Sequence, residues 1–143
     1  MTTTPHEAIR RVIDAQAAAV RRGDVDAMIA DVAEDIVSFD IVNPLRRKGR
    51  GAVRERAADW VASFNGPIEW DNRDVVVTAA EDVGFATMLS RVTGQLESGT
   101  RIDMFFRKTL GPQRRDGRWV ITHDHGSVPF DPETGQASLG LQP

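Results

Sequence analysis

Four long segments in the second half of the chain have the pattern of β-strands, and they constrain the fold more than any other feature. They cover residues 68–78, 83–96, 101–110 and 118–128. The connections between them are of hairpin length and carry turn signals such as Ser98-Gly99 and Asp116-Gly117. Strands of this length favour a strongly curved antiparallel sheet.

Three helical segments precede these strands. The first begins at Thr4-Pro5-His6-Glu7, which combines an N-cap threonine, a proline in the first turn and a glutamate three residues after the cap. It ends near Gly23, and Asp24 caps a short second helix. A third helix is predicted for 52–65, after a short strand at 36–42. This order predicts an α+β domain whose sheet buries one face on the helices.

Length and composition limit the class of protein. Residues 1–143 are expected to form one domain, with 131–143 as an irregular C-terminal tail. The net charge of −3 gives no argument for nucleic-acid binding, and no apolar run suits a membrane span or a signal peptide. We therefore expect a cytoplasmic protein. The absence of cysteine excludes disulfides, zinc–thiolate sites and thiol catalysis.

The basic loop 46–50 is either a solvated loop or an anion site, and it lacks P-loop spacing.

The last predicted strand carries two of the three histidines. Regular alternation places five side chains on one face of this strand: Trp119, Ile121, His123, His125 and Ser127. That face begins with large apolar groups and ends with two imidazoles and a hydroxyl. The pattern predicts a strand that lines the core at one end and a polar pocket at the other.

The two histidines allow three interpretations. They could accept a proton or hydrogen-bond a substrate, they could be satisfied by a carboxylate in the core, or they could bind a metal together with a carboxylate. No third ligand is fixed by sequence spacing. We therefore predict no metal and no cofactor.

Four stretches of the sequence resemble a known superfamily: RRGDVDAMIADVAEDIVSFD, FRKT, DGRW and HDHGSVPF. Together with the order of elements, they resemble nuclear-transport-factor-2-like (NTF2-like) proteins, which include ketosteroid isomerases and SnoaL-type polyketide cyclases. The resemblance implies an NTF2-like cone, in which three N-terminal helices pack on a strongly curved, mostly antiparallel sheet around a conical cavity.

The resemblance to ketosteroid isomerases also implies residue roles. Asp40, at the end of the first strand, takes the place of their catalytic base, and Asp103 takes the place of the acid that donates to the oxyanion. Counting back from Gly23-Asp24 puts Gln16 at the place of their tyrosine donor, and this chain departs from the pattern because it contains no tyrosine. Asp40 also lies between Phe39 and Ile41, where desolvation would favour proton uptake. Alternatively, it caps a turn or pairs with an arginine.

The candidate catalytic residues share an ionisable side chain: Asp40, Asp103, His123 and His125. The candidate substrate-binding residues share an aromatic or polar side chain expected near the cavity: Gln16, Trp60, Phe85, Phe105, Arg107, Trp119 and Ser127. The aromatic residues could instead be plain core, and Arg107 could instead neutralise a buried carboxylate.

These observations predict a SnoaL-like enzyme of isomerase or cyclase type. It would transfer a proton on an apolar, carbonyl-containing substrate that resembles a polyketide or a steroid. The alternative is a non-catalytic module that binds a small ligand or assembles a dimer. Apolar side chains such as Met88, Val92 and Met104 are expected on the sheet face away from the helices, which predicts a homodimer through the sheet.

Overall fold

The computed structural model describes residues 2–143 and contains three helices, α1 (Pro5–Arg22), α2 (Val25–Met28) and α3 (Arg50–Ala62). The predicted capping box is present at the start of α1. The Thr4 hydroxyl accepts from the Glu7 N–H at 3.2 Å, and the Glu7 carboxylate accepts from the Thr4 N–H at 2.8 Å. Gly23 ends α1 with φ 63°, a left-handed conformation that glycine adopts without steric cost.

Six strands form one sheet: β1 (Val32–Phe39), β2 (Arg47–Lys48), β3 (Glu69–Ala79), β4 (Gly84–Gln95), β5 (Arg101–Arg115) and β6 (Arg118–Ser127). Their order across the sheet is β2-β1-β6-β5-β4-β3. Neighbouring strands pair antiparallel, except that β1 runs parallel to β6. The predicted α+β class and the mostly antiparallel sheet are thus confirmed, whereas the short strand β2 was not predicted.

Two apolar clusters join the helices to the sheet. In the larger one, Ile9 and Ile13 of α1 pack with Leu110, Trp119 and Ile121 of the sheet. The smaller one contains Val20, Phe64, Ile68 and Val92, with Trp60 and Trp70 at its edge. The cavity described below lies alongside these clusters, so the apolar core of the fold also forms most of its walls.

An extra residue in β6 interrupts the regular alternation of its side chains. Pro112 of β5 pairs with Ile121, but the preceding Gly111 pairs with His123. Thr122 is therefore a β-bulge residue, and its hydroxyl donates to the Gly111 carbonyl oxygen at 2.8 Å. One extra residue turns all the following side chains to the opposite face of a sheet.

The bulge makes the predicted position of the histidines wrong. Trp119 packs in the core as expected, but beyond the bulge Asp124 lines the cavity while His123 and His125 do not. The two imidazoles instead contact the Phe39 ring edge-on, with ring centres 4.8 and 5.4 Å apart. Regular alternation holds only for a strand without a bulge, and β6 contains one.

The sheet face away from the helices is also less apolar than predicted. Met88, Val92 and Met104 line the cavity instead of the outer face of the sheet. The outer face carries the alternate residues of β4 and β5, such as Arg91 and Asp103, which form an ion pair. A homodimer stays a prediction, without the apolar face on which it was based.

Beyond β6 the chain forms turns and an isolated bridge between Phe130 and Ala137. Within residues 2–143, no helix is both long enough and apolar enough to cross a membrane.

Candidate active site

A cavity of about 500 Å³ lies between α1, α3 and the inner face of the sheet. Its volume is in the usual range of small-molecule sites. Its walls are mainly apolar and aromatic, and include Ile13, Val20, Trp60, Trp70, Met104 and Phe106. Three of the predicted site residues, Gln16, Asp40 and Trp60, line this cavity.

Asp40 is not the lone carboxylate that the apolar strand suggested. Its Oδ2 accepts from Arg47 Nη1 at 2.9 Å and from Arg56 Nε at 2.7 Å. Its Oδ1 accepts from the Ile41 backbone N–H at 2.7 Å. Only 21% of the Asp40 side chain is exposed, so this cluster is largely shielded from water. The structure therefore agrees with the alternative interpretation, in which Asp40 pairs with arginine.

A second carboxylate, Asp124, faces the cavity from β6. It is directly opposite Ser38 of β1 in the parallel register. The Ser38 hydroxyl donates to Asp124 Oδ1, and Ser38 itself is buried. This hydrogen bond fixes the orientation of the carboxylate at the cavity wall.

Lys108 is the one amine that the described part of the chain places at the cavity wall, and it lies on the face of β5 that also carries Phe106 and Leu110. Its Nζ is 5.4 Å from the centre of the Trp70 ring. Burial lowers the pKa of Lys108 below its ordinary range, and the negative charges of Asp124 and Asp40 oppose that shift. Among residues 2–143, no carboxylate forms a direct ion pair with the Lys108 amine.

Two amides complete the polar part of the cavity lining. Asn72 Oδ1 accepts from Trp70 Nε1 at 3.1 Å and from the buried Ser90 hydroxyl at 2.7 Å. These bonds hold the Asn72 carbonyl oxygen against β4, so its amide N–H groups are the donors left for a ligand. Gln16 contributes a second amide from α1.

Several predicted residues lie outside the cavity. Asp103 forms a two-fold ion pair with Arg91 at 2.8 and 2.9 Å, and this hydrogen-bonded guanidinium lowers the pKa of Asp103. Phe105 lies between the guanidinium groups of Arg73 and Arg91, whose carbons are 5.1 and 5.6 Å from its ring centre. Arg107 Nε donates to the Ser127 hydroxyl at 3.1 Å.

Phe85 and Trp119 are also away from the cavity, for different reasons. Phe85 precedes Ala86, which is fully buried in the core, so Phe85 points outward and is 50% exposed. Trp119 is part of the larger core cluster. The structure thus brings together Gln16, Asp40 and Trp60 and separates them from the other predicted residues.

Six polar residues of the cavity lining were not predicted from the sequence: Lys108, Asp124, Ser38, Arg47, Arg56 and Asn72. One signal for Lys108 was present, because alternation along β5 places it on the same face as Met104, Phe106 and Leu110. A lysine on an otherwise apolar strand face indicates a buried amine. Arg56 gave no such signal, because its contact with Asp40 joins a helix to a strand end sixteen residues earlier.

Within residues 2–143, no three histidine, aspartate or glutamate side chains come close enough together to hold a metal ion.

Comparison with known proteins gives a family and several related structures. The SnoaL-like domain family matches residues 9–131. An NTF2-like protein of unknown function from Pseudomonas putida KT2440 is 35% identical, with a TM-score of 0.90 over 100% of this chain and 99% of that chain. None of the curated proteins compared with this chain matches it.

Two more distant structures share the fold. A ketosteroid isomerase-like protein from Erwinia carotovora atroseptica SCRI1043 is 17% identical, with a TM-score of 0.75 over 88% of this chain and 97% of that chain. An NTF-2 like protein of unknown function from Shewanella oneidensis MR-1 is 22% identical, with a TM-score of 0.66 over 87% of this chain and 99% of that chain. At this level of identity, the likeness concerns the fold alone.

Proposed function

We propose that this chain, which belongs to the SnoaL-like domain family, is an enzyme that transfers a proton next to the carbonyl group of a small apolar molecule. The observation that carries the proposal is the position of Asp124 and Lys108 together on the wall of a mainly apolar cavity. A carboxylate and an amine in a water-poor site supply the proton acceptor and the charge that such a reaction needs.

Asp124 is the proposed base. The Ser38 hydroxyl holds one of its oxygens, and neither of its oxygens takes part in an ion pair with an arginine among residues 2–143. Asp40 is less suited to this role, because a proton on its carboxylate would weaken two charge-assisted hydrogen bonds. The role of base implied by the resemblance to ketosteroid isomerases therefore moves from Asp40 to Asp124.

The negative charge that develops on the substrate oxygen needs a donor. Lys108, Gln16 and the amide of Asn72 are the candidates that line the cavity. The Asp40 cluster has a different proposed role. It combines two guanidinium groups with one carboxylate, and this surplus of positive charge would anchor a carboxylate or an enolate at one end of the substrate.

Exchange of deuterium into enolisable ketones tests the proposal. The wild type and the Asp124→Asn variant are incubated in D₂O with apolar ketones of one to three rings, among them 1-decalone, and deuterium uptake is followed by mass spectrometry. The wild type is expected to accelerate exchange over buffer, and Asp124→Asn should lower the rate by about a hundredfold or more.

Asp14→Asn is the matched control, because Asp14 is an exposed carboxylate on α1. It should exchange deuterium at the wild-type rate, and all three proteins should give cooperative thermal melts. Equal rates for the wild type and buffer would refute catalysis. Ketone binding without exchange would then identify a non-catalytic binding module.

A further inference from the structure

We propose that Lys108 is a nucleophile that condenses with the carbonyl group of the substrate to form an iminium ion. This inference rests on the proposed function and narrows the substrate class to ketones and aldehydes. Esters and amides do not form imines with an amine in water near neutral pH. The iminium would make the neighbouring C–H group far more acidic than the parent carbonyl does, so the same proton transfer to Asp124 would become easier.

The surroundings of Lys108 make its amine easier to deprotonate than that of an exposed lysine. Its partner in the β4 ladder is Met88, and Phe106 and Leu110 flank it on the same face of β5. Burial among these apolar groups lowers its pKa, and a desolvated amine is the form that attacks a carbonyl carbon. Lys108 lines the cavity and keeps accessible surface there, so a bound carbonyl can reach it.

The identity of the residue supports the same conclusion. The chain contains only two lysines, Lys48 and Lys108, beside sixteen arginines and three histidines. A guanidinium at position 108 would keep its charge at any pH that proteins tolerate, whereas an amine can lose its proton when it is buried. Lys48 is exposed on the short strand β2, away from the cavity lining.

The reaction balances with groups that the cavity supplies. The lone pair of Nζ forms the C–N bond, the carbonyl π electrons move to oxygen, and a proton passes from nitrogen to that oxygen to give a carbinolamine. Asp124 then delivers a proton taken from solvent, the hydroxyl group leaves as water, and the nitrogen lone pair forms the iminium. The carboxylate of Asp124 is regenerated in this step, and it can accept the proton from the adjacent carbon atom.

Reductive trapping tests the inference on the unmodified protein. The wild type is incubated at pH 7 with 1-decalone, or with the apolar aldehyde 3-phenylpropanal, in the presence of cyanoborohydride. This reagent reduces an iminium to a stable secondary amine, which intact-mass measurement and peptide mapping then locate. Lys48 and the N-terminal amine in the same molecule serve as internal controls.

The expected result is an adduct on Lys108 at least tenfold more abundant than the adduct on Lys48. The ratio should fall toward one after unfolding in urea, because the selectivity comes from the cavity. Equal or preferential labelling of Lys48 in the folded protein would overturn the inference.

The Lys108→Arg variant separates this inference from the proposed function. It keeps a positive charge but cannot form an imine, so deuterium exchange should fall by about a hundredfold or more. Wild-type exchange in a folded Lys108→Arg protein would overturn the covalent step and leave the proposed function intact. A Lys108 adduct in a wild type that exchanges no deuterium would support the nucleophile and refute the proposed proton transfer.

Discussion

Replacing Lys108 by methionine is expected to stabilise the folded protein. Methionine fills a similar volume and continues the apolar face of Phe106 and Leu110, whereas the amine of Lys108 loses hydration without gaining a direct ion pair. Replacing buried charges by apolar groups ranges from neutral to about 4 kcal/mol stabilising. Asp124 would lose an attractive charge, so we expect the lower half of that range, about 1–2 kcal/mol.

This free energy converts to a measurable shift in melting temperature. A chain of 143 residues has an unfolding entropy of about 0.3 kcal/mol/K near its Tm. A gain of that size therefore raises the Tm by roughly 3–7 °C. The Lys48→Met variant is the control, because an exposed lysine should change stability by less than about 0.5 kcal/mol.

The gain should also depend on pH. The pKa of Lys108 is lower in the fold than its unfolded value of about 10.4. The unfolded chain therefore binds more protons between these two values, and the wild type gains stability as pH rises through that interval. The destabilisation by the charged Lys108 amine is complete below its folded pKa and vanishes near pH 10. The stability difference between Lys108→Met and the wild type should therefore be larger at pH 6 than at pH 9.5.

Thermal and urea melts of the two variants and the wild type at pH 6, 8 and 9.5 measure this effect. A Lys108→Met protein that is less stable than the wild type at pH 6 would refute the reasoning. It would mean that Trp70 and Asp124 stabilise the charged amine by more than its desolvation costs, and the neutral nucleophile inferred above would lose its basis.

Four further predictions concern the packing and the cavity. Asp40→Asn should lower the free energy of unfolding in urea by about 1–3 kcal/mol, because two guanidinium groups would then face an uncharged amide; a stability equal to wild type would contradict the cluster. Gly84→Ala should destabilise by about 1–3 kcal/mol, because its Cβ would lie 2.8 Å from the Thr78 carbonyl oxygen. Gly51→Ala, in open space on α3, should leave the stability unchanged or raise it by up to about 1 kcal/mol. A loss of stability in this variant would show that the helix depends on that glycine. The wild type should isomerise a 3-oxo-Δ5 steroid poorly, because it has no tyrosine and Asp103 lies outside the cavity; efficient turnover in a spectrophotometric assay would show that other donors suffice.

The sequence predicted those parts of the fold that depend on local interactions. The capping box at Thr4 and the corner at Gly23 are short-range signals, and both are present. The four strands of the meander have hairpin-length connections, so their antiparallel order follows from chain connectivity. The resemblance to the NTF2-like superfamily, which rested on these features and on short motifs, is confirmed by the family match and the related structures.

The candidate site was less predictable, because a bulge changes which side chains face inward without a clear mark in the sequence. The extra residue Thr122 in β6 sends both histidines outward. A second irregularity between Arg73 and Val76 in β3 contains Asp74 at φ 54°, an uncommon conformation for aspartate. The pairing of Asp40 with Arg56 likewise depends on how α3 packs on β1, which alternation along a strand cannot give.

The bulge at Thr122 has a consequence for the chemistry of the cavity wall. If the residues after Ile121 paired without the extra residue, His123 and His125 would line the cavity and Asp124 would lie outside. The same amino acids can thus encode either a carboxylate wall or an imidazole wall. The bulge, and not the identity of the residues that follow it, therefore decides which ionisable groups β6 presents to the cavity.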